Sequence, residues 1–255
     1  MEIPEDAVRR VFGERAPMYA TSAAHIDSQV LAKVVGLASP HPDWSVLDVA
    51  TGTGHTAFAL APQVASVIGI DVTPEMLSEA ERLRADRSFA NVGFLLADVH
   101  HLPFDDDSFH LITCRRAAHH FSHIDQALRE MKRVLRPDGR LVIDDRSVPE
   151  DDFVDDCMNA LDRYHDESHV RQYRPSEWRK LLDGAGLIAE AVEPYVKHRP
   201  LTSLTDGVSP ENVRRVYALL ERLNASQREV LKLVEVDGQL HINHWYIMLS
   251  ARKGG

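Results

Sequence analysis

Residues 46–61 read VLDVATGTGHTAFALA, and this stretch decides the fold class. An apolar strand comes first, a turn with two glycines follows, and a helix starts just beyond it. Gly52 and Gly54 let the backbone approach a ligand closely, and the first turn of the helix presents unpaired N–H groups and the positive end of a dipole. The stretch therefore predicts a strand, a ligand-binding turn and a helix in one unit.

Short apolar runs alternate with amphipathic segments around this unit. Strands are predicted near 44–50, 65–71, 92–98, 109–115 and 139–145, with helices between them. A helix begins after Thr73, with Pro74 at its first position, and another runs over 123–135 and stops before the turn signal Asp138-Gly139. This alternation is typical of a parallel sheet that is covered on both faces.

The flanking regions predict further helices and strands. Two amphipathic helices are predicted at 5–12 and 22–37, and helices follow the fifth strand within 150–170 and 175–187. A sixth strand is predicted at 185–196, a helix at 210–224, a hairpin at Asp237-Gly238 and a last strand at 244–253. We predict one domain over residues 1–255: a helical lid (1–40), a cofactor-binding core (41–147), and substrate-side helices with the C-terminal strands (148–255).

Composition excludes several classes of protein. The 255 residues carry 39 acidic and 29 basic side chains, a formal charge of -10, and no basic stripe, so nucleic acid is not expected as a partner. Cys114 and Cys157 are the two cysteines, too few for a disulfide framework, and a reducing cytoplasm is expected. No run reaches the roughly 20 apolar residues that a membrane span needs. The chain is expected to be a monomer or a homodimer.

Three acids lie at or near the carboxyl ends of successive predicted strands. They are Asp48 in the first strand, Asp71 at the end of the second and Asp98 at the end of the third. Carboxylates near the glycine turn would repel a pyrophosphate, whereas a sulfonium and an α-amino group would be attracted. The pattern Gly52-x-Gly54-x-x-Ala57 followed by Asp71 also satisfies the dinucleotide fingerprint, so an NAD-dependent oxidoreductase is an alternative.

Residues 46–145 resemble the class I S-adenosylmethionine-dependent methyltransferases, specifically the small-molecule branch that includes the ubiquinone and menaquinone biosynthesis C-methyltransferases. The resemblance rests on VLDVATGTG, VIGIDVTPEML, FLLADVHHLPFDDDSFHLITCRRAAHHF and RVLRPDGRLVIDD, in that order. It implies an α/β fold: a Rossmann-like, doubly wound, mostly parallel seven-stranded sheet with an antiparallel last strand, an N-terminal helical lid, and helical insertions after strands five and six. It also implies methyl transfer from S-adenosyl-L-methionine to a small-molecule acceptor, with S-adenosyl-L-homocysteine as product.

The resemblance assigns roles by position. The residues implied to bind the cofactor are Asp48, Ala50, Thr51, Gly52 and Gly54 at the methionyl portion, Asp71 at the ribose, Val72, Met76, Asp98 and Val99 at the adenine, Arg115 near the methyl group, and Tyr19 in the lid. Thr56 stands where the longer form of the glycine motif has a third glycine. A cofactor-binding protein without catalytic activity, acting as a regulator, is a further alternative.

Catalytic and substrate residues are predicted after strands four and five. His119 and His120 are candidate bases, because a neutral imidazole can take a proton from the acceptor near pH 7, although packing at a helix start explains them equally well. The candidate substrate residues are Asp144, Arg146, His165 and His169. No metal site is predicted, because the histidine pairs four residues apart bring no third ligand.

Overall fold

The computed structural model describes residues 5–22 and 26–254. Its helices are α1 (Glu5–Thr21), α2 (Ser28–Ala38), α3 (His55–Leu60), α4 (Pro74–Arg87), α5 (Ile124–Val134), α6 (Asp152–His165), α7 (Pro175–Gly184), α8 (Pro210–Glu221) and α9 (Ala225–Val230). Its strands are β1 (Ser45–Val49), β2 (Ser66–Asp71), β3 (Val92–Leu96), β4 (Phe109–Arg115), β5 (Leu135–Ser147), β6 (Leu187–Pro200), β7 (Val234–Val236) and β8 (Gln239–Lys253). No helix in these ranges is both long and apolar enough to cross a membrane.

The strands form one sheet in the order β3-β2-β1-β4-β5-β8-β6, and the short β7 pairs with β8. Strands β1 to β5 are parallel to one another, whereas β8 runs antiparallel to β5 and β6. The predicted fold class is confirmed, with β7 as an extra edge strand. Strand order reverses between β1 and β4, and ligands in open α/β sheets bind at such a reversal, beyond the carboxyl ends of the strands.

The central strands of the sheet are buried on both faces. One apolar cluster joins its strands to α5 and α7, and a second joins them to α2 and α3. A third cluster lies beyond the sheet, where α6, α8 and the start of β8 pack together. Fully buried strand residues such as Leu47, Ile112 and Ile143 explain why these strands read as continuous apolar runs.

The N-terminal helices differ from the sequence prediction. Helix α1 extends to Thr21 instead of residue 12, because Val11, Ala16 and Ala20 continue its buried face beyond Pro17. Helix α2 begins at Ser28 instead of residue 22, because the Asp27 carboxylate accepts hydrogen bonds from the backbone N–H groups of the first turn. Residues 23–25 of the predicted second helix lie outside the described ranges.

The approach to β5 also differs from the prediction. The Asp138-Gly139 step lies inside β5, where the register against β4 shifts, instead of in a free turn. Leu135 already pairs with Phe109, so the strand starts directly after α5. A Cβ at Gly139 would approach the Leu135 side chain to 2.6 Å, so any other residue there would require Leu135 to shift. The predicted hairpin at Asp237-Gly238 is confirmed: both residues have positive φ (50° and 76°), as a type I′ turn requires.

Candidate active site

A cavity lies at the carboxyl ends of the parallel strands, at the reversal between β1 and β4. Its walls come from α1, the turn after β1, the start of α4, and the segments after β3 and β4. The predicted cofactor residues that line it are Tyr19, Asp48, Ala50, Thr51, Gly52, Asp71, Val72, Met76, Asp98, Val99 and Arg115. The folded chain thus brings together segments that are separated by up to about a hundred residues in sequence.

The turn after β1 supplies the floor of the cavity. Ala50, Gly52 and Gly54 all have positive φ, at 50°, 54° and 84°. A Cβ at Gly52 would meet only the Met76 sulfur, at 4.0 Å, so its backbone conformation alone selects glycine there. A Cβ at Gly54 would clash with Phe94 at 2.8 Å, so this glycine also makes room for packing against β3.

Asp48 lies beneath the turn. Its two carboxylate oxygens accept hydrogen bonds from the hydroxyls of Thr51 and Thr113, each at 2.6 Å. Burial raises the pKa of Asp48, and the two threonine hydrogen bonds oppose that shift. The side chain therefore orders the turn, and each carboxylate oxygen keeps a lone pair for a further donor.

Asp71 closes the turn from the neighbouring strand. Its Oδ2 accepts from the Gly52 backbone N–H at 2.9 Å, and its Oδ1 accepts from the Thr73 backbone N–H at 3.0 Å. Burial raises the pKa of Asp71, although these backbone donors favour the charged form. A carboxylate has about four acceptor sites, so Asp71 can take two further donors from the cavity.

Asp98 differs from the other two acids because it is only half-buried. Burial would raise its pKa, but hydrogen bonds from the His100 backbone N–H (2.9 Å) and ring Nδ1 (2.7 Å) outweigh burial and lower it. Both bonds reach Oδ1, and Oδ2 has no partner among the described residues. Next to it, Val72, Met76 and Val99 form an apolar wall.

The opposite end of the cavity is aromatic and basic. Phe12 of α1 stands edge-on to Tyr19 and to His120, with ring centroids 5.7 and 5.0 Å apart. The Nε of Arg115 donates to Thr56 Oγ1 at 2.9 Å, and burial lowers the Arg115 pKa. Thr56, which stands where the longer motif has a third glycine, therefore holds the Arg115 side chain in the cavity wall.

The two adjacent histidines have different surroundings. His120 lines the cavity, whereas His119 is only 6% exposed and lies outside the lining. The backbone N–H and the ring Nδ1 of His119 both contact the Asp145 carboxylate, at 2.9 and 2.5 Å. Burial lowers the His119 pKa well below its usual value and raises that of Asp145 to about 6. His119 is therefore a packing residue behind His120.

The predicted substrate residues do not line this cavity. Asp144 accepts hydrogen bonds from Arg116 Nε (3.0 Å) and the Tyr195 hydroxyl (2.6 Å), and Arg146 donates to Asp162 at 2.9 Å. His169 contacts Asn159 at 3.0 Å, and His165 ends α6. The sequence prediction assumed that side chains leaving β5 face the ligand. Instead β5 continues to Ser147, and these side chains turn toward α6, β6 and β8.

Several lining residues were not predicted. They are Phe12, Thr53, His55, Ile70, Thr73, Ala97, His100, Arg116, Ala117, Phe121 and Ser122. Arg116 has a φ of 57°, and its guanidinium lies 3.9 Å from the centre of the Tyr246 ring. The sequence signal for it was the second basic residue directly after strand four. Within the described ranges, no group of three or more His, Cys, Asp or Glu side chains is arranged to hold a metal ion.

This fold and site define a class of protein: a doubly wound sheet with a cavity at the reversal of strand order, where a glycine turn meets acids at the carboxyl ends of three strands. The family model described as "Methyltransferase domain" matches residues 40–186, more than half of the chain. The chain belongs to this methyltransferase family, as the resemblance predicted.

Individual relatives agree with this membership. The uncharacterized methyltransferase YcgJ of Bacillus subtilis is 38% identical over 184 residues, 72% of this chain and 73% of that protein. The crystal structure of YcgJ matches with a TM-score of 0.84 at 31% identity, covering 89% of this chain and 99% of that chain. The ubiquinone/menaquinone biosynthesis C-methyltransferase UbiE of Bartonella henselae is 41% identical over 103 residues, 39% of this chain and 40% of that protein.

A more distant structure shares the fold alone. It is the geranyl diphosphate C-methyltransferase of Streptomyces coelicolor, in complex with Mg²⁺, geranyl diphosphate and S-adenosyl-L-homocysteine. It matches with a TM-score of 0.61 at 13% identity, covering 89% of this chain and 77% of that chain.

Proposed function

We propose that this protein transfers a methyl group from S-adenosyl-L-methionine to a small-molecule acceptor. The observation that carries the proposal is the meeting of Asp48, Asp71 and Asp98 in one cavity beside a glycine turn. A cationic, ribose-bearing cofactor offers a matching set of donors: an ammonium group, two ribose hydroxyls and an adenine amino group. The complex of the distant geranyl diphosphate C-methyltransferase with S-adenosyl-L-homocysteine supports the same cofactor class.

The acids fit these donors residue by residue. Asp71 keeps two acceptor sites after its backbone hydrogen bonds, enough for a pair of ribose hydroxyls. Asp98 keeps Oδ2 for the adenine amino group, and Val72, Met76 and Val99 offer the apolar surface that an adenine ring needs. Asp48 and the turn around Gly52 would hold the methionyl ammonium, while Arg115 carries the charge to pair with its carboxylate.

The protein's own part in the transfer is mainly positioning. The bound cofactor supplies an electrophilic methyl carbon on a sulfonium, and transfer depends on alignment at near-contact distance. Phe12, Tyr19 and Phe121 shape the acceptor end and exclude water from it. We assign residues 1–40 the role of a lid, because α1 supplies Phe12 and Tyr19 to the cavity wall. UbiE is a ubiquinone/menaquinone biosynthesis enzyme and the more distant enzyme is a geranyl diphosphate methyltransferase, so an apolar small molecule is the acceptor class to test first.

The alternatives fit the cavity less well. A dinucleotide places a pyrophosphate at the glycine turn, where the Asp48 carboxylate lies directly beneath Thr51 and would repel it. A regulator that binds the cofactor without transfer would need no basic group at the acceptor end, yet His120 lines it. The buried thiols of Cys114 and Cys157 agree with a cytoplasmic location, which we include in the proposal.

Calorimetric titration tests the proposal. We expect S-adenosyl-L-methionine and S-adenosyl-L-homocysteine to bind in the same cavity and NAD to bind much more weakly. Binding of NAD without binding of S-adenosyl-L-homocysteine would refute the proposal. A panel of quinols, phenols and prenyl compounds, followed by detection of released S-adenosyl-L-homocysteine, then separates an enzyme from a regulator. A regulator would bind the cofactor and release none of the product with any acceptor.

A further inference from the structure

A chain of hydrogen bonds leads from the cavity wall into the protein behind it. It runs from His120 to Ser168 and on to Asp166, in the loop that follows α6. Ser168 Oγ lies 3.0 Å from His120 Nδ1 and donates to Asp166 Oδ1 at 2.6 Å. The Ser168 carbonyl oxygen lies 3.2 Å from the same Nδ1. Ser168 is fully buried and Asp166 is 7% exposed, so water does not compete for these bonds.

The charge of Asp166 settles the direction of each hydrogen bond. Burial would raise the pKa of Asp166, but the two hydrogen bonds from Ser168 and the charge of Arg15 oppose burial, and the pKa is lowered. An ionised carboxylate can only accept, and the Ser168 backbone N–H donates to it as well, at 2.9 Å. The single hydroxyl proton of Ser168 is therefore directed to Asp166. Ser168 Oγ is left as an acceptor toward His120.

The tautomer of His120 follows from this direction. Two acceptors, the Ser168 hydroxyl oxygen and the Ser168 carbonyl, converge on Nδ1, so the neutral ring carries its proton there. Nε2 then carries the lone pair. Among the side chains that the structure describes, those of residues 9–22 and 26–254, no hydrogen-bond partner reaches Nε2, and the ring forms part of the cavity wall.

We propose that Asp166 and Ser168 are positioning residues that hold His120 as its Nδ1–H tautomer, with a basic Nε2 presented to the methyl acceptor. The inference rests on the proposed function and deepens it. An acceptor X–H gives its proton to Nε2, and its electron pair forms the new bond to the methyl carbon. The pair of the broken carbon–sulfur bond stays on sulfur and neutralises the sulfonium. The acceptor therefore carries a weakly acidic O–H, N–H or C–H group at the methylated atom.

The adjacent histidine does not compete for this role. Nδ1 of His119 is occupied by Asp145, and its ring lies behind His120 with centroids 4.0 Å apart. Phe12 packs edge-on against the His120 ring, with the centroids 5.0 Å apart. Of the two ring nitrogens of His120, Nδ1 is bonded to Ser168, and Nε2 is the one available to an acceptor in the cavity that this ring lines.

NMR spectroscopy on the full chain with ¹⁵N-labelled histidine tests the proposal directly. In neutral His120 we expect Nδ1 to give the signal of a protonated nitrogen and Nε2 that of an unprotonated one, assigned by loss of the signals in His120→Gln. Ser168→Ala removes one of two acceptors and should change the tautomer ratio by about fivefold, as expected for one hydrogen bond. Ser168→Thr keeps the hydroxyl and should restore the wild-type spectrum. A protonated Nε2 in the wild-type protein would overturn the proposal.

A matched control separates the effect of this chain of hydrogen bonds from general effects of losing a serine hydroxyl. Ser203 contacts His244 Nε2 at 3.2 Å, another serine–histidine pair, away from the cavity lining. Ser203→Ala should leave the His120 signals unchanged. If Ser168→Ala does not fold, Asp166→Asn is the second variant: its neutral amide can donate to Ser168, and the His120 tautomers should become mixed. An unchanged His120 spectrum in a folded Asp166→Asn would contradict the proposal.

Failure of this inference is distinguishable from failure of the proposed function. The tautomer is measured in the protein without ligand, whereas the cofactor assignment depends on S-adenosyl-L-homocysteine binding. We expect Ser168→Ala to bind S-adenosyl-L-homocysteine within twofold of wild type. If S-adenosyl-L-homocysteine binds but His120 is the Nε2–H tautomer, only the positioning role of Asp166 and Ser168 is overturned. If His120 is the Nδ1–H tautomer but the ligand does not bind, only the cofactor assignment is overturned.

Discussion

A single side chain, Asp71, combines two tasks in the cavity. It ties the Gly52 turn to the start of α4 through two backbone hydrogen bonds, and it keeps two acceptor sites toward the cavity. Its position at the end of β2 was predictable, because the carboxyl ends of parallel strands meet at one edge of the sheet. Its bonds to the turn were not, since they depend on the positive φ of Gly52.

Replacing Asp71 should weaken cofactor binding more than it weakens folding. Asp71→Asn keeps one acceptor oxygen and should cost about 1–3 kcal/mol of S-adenosyl-L-homocysteine affinity, because a charged acceptor for ribose hydroxyls is lost. Isothermal titration calorimetry measures this change. Asp86→Asn is the control, since Asp86 lies on the exposed side of α4 and pairs with Arg82. Equal affinities of wild type and Asp71→Asn would refute the ribose assignment.

At the scale of elements, α1 covers the acceptor end of the cavity and is attached to the loop after α6. Arg10 pairs with Glu167 at 2.5 Å, and Arg15 lies 3.8 Å from Asp166. The exposed Arg10–Glu167 pair contributes little energy by itself. Phe12 packs edge-on against the His120 ring and therefore anchors this helix at the cavity wall.

Truncation of that anchor should open the cavity. We expect Phe12→Ala to raise the dissociation rate of S-adenosyl-L-homocysteine by about 5- to 30-fold, corresponding to about 1–2 kcal/mol of lost aromatic contacts. Stopped-flow fluorescence or surface plasmon resonance gives the rate. Met18→Ala is the matched control, because Met18 lies on the same helix and is 55% exposed. If both variants release the ligand at the wild-type rate, α1 is not a lid.

A group of buried hydrogen bonds connects the ends of β4 and β5 with β6. Asp144 is buried between Arg116 and Tyr195, and Arg116 also stacks on Tyr246. Asp144→Ala leaves a buried guanidinium without its carboxylate and should lower the free energy of unfolding by about 3–5 kcal/mol. Urea unfolding monitored by circular dichroism measures this loss. In the double variant Asp144→Ala/Arg116→Leu the loss should be smaller than the sum of the two single losses. Additive losses would mean that the pair is not coupled.

At the scale of the whole molecule, a buried layer of ionisable groups fills the space between β5, β8 and α6. It includes Asp145, Asp162, Arg146, His169 and His244. Burial lowers the pKa of His169 to about 3 and that of His244 well below its usual value. These histidines are neutral in the folded protein and gain protons on unfolding at mildly acidic pH.

The difference between the pKa values of His169 in the folded and unfolded protein sets the sign of its effect on the pH dependence of stability. Between pH 6 and pH 4 the unfolded chain binds a proton at His169 that the folded chain does not, so His169 makes stability fall as the pH falls. Its contribution is at most about 1.4 kcal/mol per pH unit. Asp145, whose pKa is raised to about 6, acts in the opposite direction over the same range. A single-residue comparison is therefore needed.

His169→Gln isolates the histidine contribution. The glutamine amide can still meet Asn159 but does not titrate, so the stability of this variant should fall less steeply than that of wild type between pH 6 and pH 4. Urea unfolding at several pH values measures both slopes. His101→Gln, at an exposed position, should have the wild-type slope. Parallel curves for wild type and His169→Gln would show that His169 titrates normally in the folded protein.

The sequence by itself determined the alternation of strands and helices, the glycine turn, and the three acids at successive strand ends. These features depend on local spacing and backbone preference, which the chain carries in every segment. The resemblance of four ordered segments added the methyltransferase family.

Only the tertiary structure decided which side chains face the cavity. His119 and His120 are neighbours in sequence, yet their surroundings differ. The His119 ring contacts the buried Asp145, whereas the His120 ring contacts Ser168 and lines the cavity. Asp144, Arg146 and His169 turn away from the cavity for a similar reason. Asp144 bonds to Tyr195 of β6, and Arg146 and His169 bond to residues of α6. A side chain's direction depends on such long-range contacts, and no local pattern encodes them.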